Sequence, residues 1–239
     1  MKDTIAASRN LDRIRRYCLA AGLDGLTAKP ELVELAVHDY VNALAEQVGI
    51  DDADSLYCYT VPMLSADGSC SVADEMSPVP YDLTGILGGR SDVTSRRLAL
   101  LERLVERAQE VTGATWLGIY QRRTGVSGVP VLVKLSYMGL PSRAEFPLTA
   151  EFAHGSTNST VGLSGRAMVI ADVGHHVESG GGYYVCDPKV KSEACLPILG
   201  EAGEVIGIVD AEAEAKSFFG EERLASLAAL CIVLPAVLP

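Results

Sequence analysis

Four β-rich stretches of this chain fall into two pairs, and that pairing constrains the fold more than any other feature. "TWLGIYQ" (115–121) and "PVLVKLSYMG" (130–139) flank the turn "TGVSG". "SEACLPIL" (192–199) and "EVIGIVDAEAE" (204–214) flank the turn "GEAG". Runs of apolar and β-branched residues joined by glycine-bearing turns read as hairpins. An amphipathic helix precedes the first hairpin. "SDVTSRRLALLERLVERAQEVTG" (91–113) has Leu98, Leu101, Val105 and Ala108 on one face and a cap near Asp92. A second helix, "SFFGEERLASLAALCIVL" (217–234), follows the last strand.

Helix, hairpin, long connection, hairpin, helix is the signature of an α+β domain built on an antiparallel sheet flanked by helices, here over residues 91–239. The connection from about 140 to 190 is too long for a plain loop and is expected to form a binding site or lid. Within it, "ESGGGYY" (178–184) fits a mobile lid or a disordered loop equally well.

A boundary near residue 90 separates this domain from a mainly helical N-terminal extension, residues 1–90. "RNLDRIRRYCLAAG" (9–22) places Leu11, Ile14, Cys18 and Leu19 at helical spacing, with Gly22 as a stop. "KPELVELAVHDYVNALAEQVG" (29–49) starts at Pro30, presents Leu32, Leu35, Ala36, Val41 and Leu44 as a stripe, and ends at Gly49. "SLYCYTVPML" (55–64) is β-rich, and residues 65–90 read as loop. The apolar faces of these helices need burial, against the following domain or in a homodimer.

A net charge of −11 argues against non-specific binding to nucleic acid or an anionic membrane. The charged N-terminus has no signal-peptide core. The late apolar run "LAALCIVLPAVLP" is too short to span a bilayer, so a cytoplasmic protein is expected. There the six cysteines are reduced by default, and with no CxxC pair among them a structural zinc site is not expected. His175 and His176 read as loop residues rather than metal ligands.

Several residues stand out chemically, each with two readings. Cys186, in a glycine- and tyrosine-rich loop, is a nucleophile or a small packing residue. Trp116 and Tyr120 share one strand face, as a substrate wall or as ordinary core. Asp210, Glu212 and Glu214 also share a face, and Glu193 stands at the start of a strand. These acids form a cluster in a pocket or lie along a solvated edge.

The blocks "TWLGIYQ", "TVGLSGRAMVIADVGHH" (160–176), "VCDPKVKSEACLPIL" (185–199), "EVIGIVDAEAE" and "SFFGEERLASLAAL" (217–230) occur in an order that resembles a GAF domain of the free methionine-(R)-sulfoxide reductase type. The resemblance covers residues 91–239. It implies thiol-dependent reduction of free methionine-(R)-sulfoxide, with Cys186 as the attacking thiol and with Glu193, Asp210 and Glu212 binding and protonating the substrate. Trp116, Tyr120 and Asp187 match the family's substrate-binding positions. The family usually carries two further cysteines. This chain has Ser164 in "GLSGRA" at one of those places and no cysteine near His154 at the other. Cys195, where the family has an aliphatic residue, is either core or a replacement resolving thiol. Cys58 and Cys70 are further candidates for that role.

The implied chemistry takes a cysteine through a sulfenic acid to a disulfide, reset by a thioredoxin-type reductant, with no metal or organic cofactor. Crowded carboxylates raise one another's pKa, so one can stay protonated as the acid. They would also raise the pKa of a nearby thiol, a penalty that Lys189, Lys191 or a helix N-terminus would have to offset. The alternative readings are a non-catalytic GAF module that binds a small molecule and a diverged cysteine-dependent enzyme acting on another small substrate.

Overall fold

The computed structural model describes residues 2–46, 49, 53–64, 75–184 and 187–239. Cys70 and Cys186 lie outside the described residues. Helix α1 (Lys2–Ala21) stops at Gly22, whose φ of +78° is the left-handed conformation that glycine adopts at least cost. A short α2 (Asp24–Thr27) leads to α3 (Pro30–Ala45), which opens on Pro30 as expected. The buried face of α3 differs from the predicted one. Val33, Val37 and Tyr40 point inward, whereas Leu35 is 72% exposed and Leu32 and Val41 also face outward. Ala36 and Leu44 of the predicted stripe flank the core. Tyr40 sets the rotation of the helix, because its hydroxyl meets Ser226 Oγ of the C-terminal helix at 2.7 Å in a buried hydrogen bond.

The run predicted as a strand begins instead as a helical turn, α4 (Ala53–Tyr57). Tyr57 is fully buried there, with its hydroxyl 3.1 Å from Ser95 Oγ. The rest of the run pairs in two short pieces, β1 (Cys58–Tyr59) antiparallel with β2 (Tyr81–Asp82) and Pro62 in a single antiparallel bridge with Met76.

Helix α5 (Asp92–Thr112) buries Leu98, Leu101, Val105 and Ala108, the predicted face. Its cap, expected near Asp92, is the adjacent Ser91, whose hydroxyl accepts from the Thr94 amide. Strands β3 (Trp116–Thr124) and β4 (Pro130–Met138) form the first hairpin, followed by β5 (Glu145–Pro147). The long connection folds as α6 (Ala150–Ala153), α7 (Thr157–Ser164), β6 (Met168–Ile170) and α8 (Val173–Glu178). Strands β7 (Ser192–Leu199) and β8 (Val205–Ala213) form the second hairpin, and α9 (Glu221–Val233) closes the domain.

Among the described residues the large sheet runs β5-β4-β3-β8-β7-β6, antiparallel throughout. The central pairing of β3 with β8 joins the two hairpins. Alternation gives the sheet two unlike faces. Leu117, Ile119, Val133, Leu196 and Val209 enter the main core with α5 and α9. Trp116, Tyr120, Leu132, Cys195 and Ile208 form a second cluster on the opposite face, under α7.

The N-terminal helices belong to the main core. Ile14, Tyr17, Cys18, Val33, Val37 and Tyr40 pack in one cluster with the sheet and α9. The Tyr17 hydroxyl donates to the Pro197 carbonyl at 2.9 Å. No described helix is long and apolar enough to cross a membrane. The observed face of α3 makes a simple forecast. Val33→Ala is expected to lower unfolding stability by about 2 kcal/mol in urea titration, and Leu35→Ala by less than about 0.5 kcal/mol.

Candidate functional site

The second cluster surrounds a chamber on the sheet face opposite the main core. Cross-strand register brings its members together. Trp116 stands opposite Glu212, Gly118 opposite Asp210, and Glu193 opposite Glu212. Gly118 has a packing reason to lack a side chain: an added Cβ would lie 2.4 Å from the Trp116 ring. The glycine therefore lets the indole lie flat between the two aromatic positions of β3. The N-terminal end of α7 covers the chamber from above. Its cap, Ser156, accepts from the Ser159 amide, and Thr157 and Asn158 turn toward the acids. The space it leaves is about 20 Å³, room for one water-sized group.

Electrostatically the chamber is unusual. Glu193 and Asp210 are each only 3% exposed. Burial first, then the neighbouring Asp210 and Glu212, hold the Glu193 carboxyl well above the usual range. Burial also raises Asp210, to about 7, against the opposing effect of hydrogen bonds with Asn158, Glu193 and the Ala211 backbone. Two carboxylates in contact in a low-dielectric site cannot both ionise readily, so the pair retains a proton toward neutrality. Among the described residues, the buried side-chain oxygens with no hydrogen-bond partner are Asp210 Oδ1 and Thr157 Oγ1. Both residues line the same chamber. Unmet buried acceptors carry a desolvation cost that an entering ligand would relieve.

Aromatic rings complete the walls. Trp116 and Tyr120 have ring centroids 6.3 Å apart, and Phe146 meets Tyr120 edge-on at 5.6 Å. Tyr184 packs on Phe146 at 5.8 Å and accepts a 3.1 Å hydrogen bond from Arg143. Its neighbour Tyr183 has its phenol pKa raised by burial, then by Glu193, Glu212 and Asp210. The "GGGYY" segment thus lies against the acids. Gly182 allows this, since a Cβ there would collide with the His154 carbonyl at 1.8 Å.

The sequence profile of the GAF domain matches residues 96–234. The chain belongs to the GAF domain family. This GAF domain is similar in fold to the type II free methionine-R-sulfoxide reductase of Thermoplasma acidophilum. The identity is 21% and the TM-score 0.52, over 61% of this chain and 94% of that one. The free methionine-R-sulfoxide reductase of Neisseria meningitidis, solved with its substrate, is 20% identical over 65% of this chain and 84% of that one, with a TM-score of 0.48. The GAF domain of an Acinetobacter phosphoenolpyruvate-protein phosphotransferase is 13% identical over 65% and 87%, with a TM-score of 0.46. No curated protein matches the sequence.

The GAF fold brings Trp116, Tyr120, Glu193, Asp210 and Glu212 onto one chamber. Asp187 lies apart from them in an adjoining cavity, which also reaches Trp116 and Glu212. Cys186 is outside the described residues. Cys195 is fully buried, and burial, Asp210 and Glu193 push its thiol pKa well up. Cys58 is half-buried, with its thiol also raised, by burial and Asp82. Among the described residues no group of three or more His, Cys, Asp or Glu side chains is arranged to hold a metal.

Sequence reasoning missed the polar residues that α7 and the loop after β4 contribute. Thr157, Asn158 and Ser142 line the chamber, and Lys134 is buried beside it. Lys134 Nζ donates to the carbonyl and the hydroxyl of Ser142, each at 2.8 Å, and lies 3.8 Å from the Tyr137 ring centroid. A lysine interrupting the apolar run "PVLVKLSYMG" was the available signal.

The raised Asp210 pKa gives a signed pH dependence. The folded chain keeps a proton that the unfolded chain, with a carboxyl near 3.8, has released. That contribution is complete below about pH 4 and is lost as pH rises through about 7. Urea titrations from about pH 5 to about pH 8 should show wild type losing stability relative to Asp210→Asn. A pH-independent difference would contradict the assignment.

Proposed function

We propose that this GAF domain is a thiol-dependent reductase of a small sulfoxide, free methionine-(R)-sulfoxide being the substrate its sequence resemblance implies. The observation that carries this reading is the chamber itself. Two buried carboxyl groups with raised pKa values, one of which leaves Asp210 Oδ1 unpartnered, stand beside an aromatic wall. A sulfoxide oxygen is a strong hydrogen-bond acceptor, and a carboxyl group kept neutral at pH 7 is a donor suited to it. Trp116 and Tyr120 offer apolar surface to the S-methyl group.

In this reading the Cys186 thiolate attacks the sulfoxide sulfur while the Glu193–Asp210 pair delivers a proton to the oxygen. The oxygen passes as hydroxyl to Cys186 Sγ while its bond to the substrate sulfur and the transient S–S bond break, so that the sulfoxide sulfur is reduced by two electrons to the thioether and Cys186 is oxidised to the sulfenic acid. A second thiol then attacks that sulfur and releases water, and a thioredoxin-type dithiol reduces the resulting disulfide. Cys195, Cys58, Cys70 and an external thiol are the candidates for the second thiol. The same chamber also supports a non-catalytic module that binds a small molecule. Ser164, standing where the resembled family carries a cysteine, favours that second reading.

A reduction assay resolved by diastereomer, with thioredoxin and with a small dithiol, separates the two. Turnover of the R form is expected in wild type and absent in Cys186→Ser. Glu193→Gln is expected to lower kcat by about 10²–10⁴. Ligand binding without turnover of either diastereomer would overturn the reductase reading and leave the binding module.

A further inference from the structure

Lys134 is a fully buried charge on β4, beside the chamber. Its Nζ lies over three aromatic rings, 3.8 Å from the centroid of Tyr137, 5.0 Å from that of Tyr59 and 5.9 Å from that of Trp116. Ring faces turned toward a buried amine favour its ammonium form, as do the two Ser142 oxygens that accept from it at 2.8 Å. Tyr59 forms the outer wall of this cage. Its hydroxyl donates to the Lys134 carbonyl at 2.7 Å, and it comes from the segment before the family match.

The loop after β4 is fixed between this cage and the indole. Gly139, with a φ of +117°, brings the chain against Trp116, where a Cβ would lie 2.6 Å from the ring. The Leu140 carbonyl accepts from Trp116 Nε1 at 3.0 Å, and two residues later Ser142 meets Lys134. Ser142 is 7% exposed and lines the chamber. An ammonium has donors and no acceptor, so both oxygens of Ser142 accept from it. The Ser142 hydroxyl keeps its own proton, turned away from Nζ and made a stronger donor by the positive charge behind it. From the other side of β3, Asp210 of β8 reaches the same chamber, and its Oδ1 has no hydrogen-bond partner among the described residues. A polarised hydroxyl and a buried carboxyl pair thus border room for one water-sized group.

We propose that Lys134 is a positioning residue for ligand selection: held in its aromatic cage, it directs the Ser142 hydroxyl proton into the chamber, to donate to a ligand oxygen that carries partial negative charge. Resting on the reading of the chamber as the substrate site, this deepens it. A sulfoxide oxygen is such a group, and the thioether left after reduction has none. Ser142 touches the ligand, Lys134 acts through Ser142, and together they separate substrate from product.

The test measures binding to the full chain carrying Cys186→Ser, in which no reduction occurs, by calorimetry and by the fluorescence of Trp116, the only tryptophan of the chain. The probes are L-methionine-(R)-sulfoxide and L-methionine, which differ only in the oxygen. The sulfoxide is expected to bind more tightly. Lys134→Met and Ser142→Ala are each expected to weaken sulfoxide binding by about tenfold or more and to leave methionine binding within about twofold. Combined, they are expected to cost little more than either alone, because both remove one hydrogen bond. Ser142→Thr, which keeps a hydroxyl, is expected to retain the preference. Where Lys134→Met fails to fold, Lys134→Gln replaces it and is expected to shift the ratio of the two affinities in the same direction. A purely structural role for Lys134 would weaken both probes alike. That result, an unchanged ratio in Ser142→Ala, or no preference for the sulfoxide in the starting protein would overturn the proposal. Turnover with an unchanged ratio in these variants would reject this role and keep the reductase. Turnover absent with the preference present would reject the reductase and retain this site.

Discussion

Two carboxyl groups buried in contact, Glu193 and Asp210, are the arrangement on which the rest of the site depends. Placing a charge in so dry an environment is costly, and placing two side by side is more so. The protein meets this cost by keeping a proton on the pair and by aiming Asn158 and the Ala211 backbone at Asp210. The arrangement is possible because β8 lies between β3 and β7. That order sets the acids of β7 and β8 against the aromatic residues of β3. A one-residue slip of any of these strands would turn its own members of the site into the main core.

Covering the acids is the work of α7 and the "GGGYY" segment. The cover leaves a void of one water-sized group and two oxygens without partners. A sheet face that only needed to be packed would not retain unpaired buried acceptors. The N-terminal segment adds the outer wall. Its helices share the main core, Tyr59 stacks with Tyr81 at 5.5 Å, and Tyr59 also donates a 2.7 Å hydrogen bond to the Lys134 carbonyl. Residues before the GAF match thereby hold the edge of the sheet beside the site.

Much of this was legible in the sequence, for identifiable reasons. The hairpins were readable because strand alternation and glycine turns are local signals. For the same reason Trp116 and Tyr120 on one strand, and Asp210 and Glu212 on another, were expected to share faces. That β3 pairs with β8 follows from contacts far apart in the chain, which no periodicity reports. Helix α3 shows a different difficulty. Its leucine stripe and its Val33-Val37-Tyr40 stripe both fit helical spacing, and only the position of α9 selects between them. Thr157 and Asn158 look like ordinary helix-start residues, and their approach to Asp210 depends on how α7 docks. Lys134 was visible as a charge in an apolar strand, but the aromatic rings around it come from separate elements.

The central claim is that Glu193 and Asp210 hold a proton in common in the folded protein. Carbon-detected NMR of the side-chain carboxyl groups, followed from about pH 4 to about pH 9, tests it most directly. The expected result is that one carboxyl of the pair keeps its protonated chemical shift to near pH 7, and that Asp210→Asn changes the titration of Glu193. Two independent titrations near the ordinary carboxylate value of about 4 would contradict it. They would mean that water reaches the chamber freely and that its acids are neither paired nor poised to donate a proton.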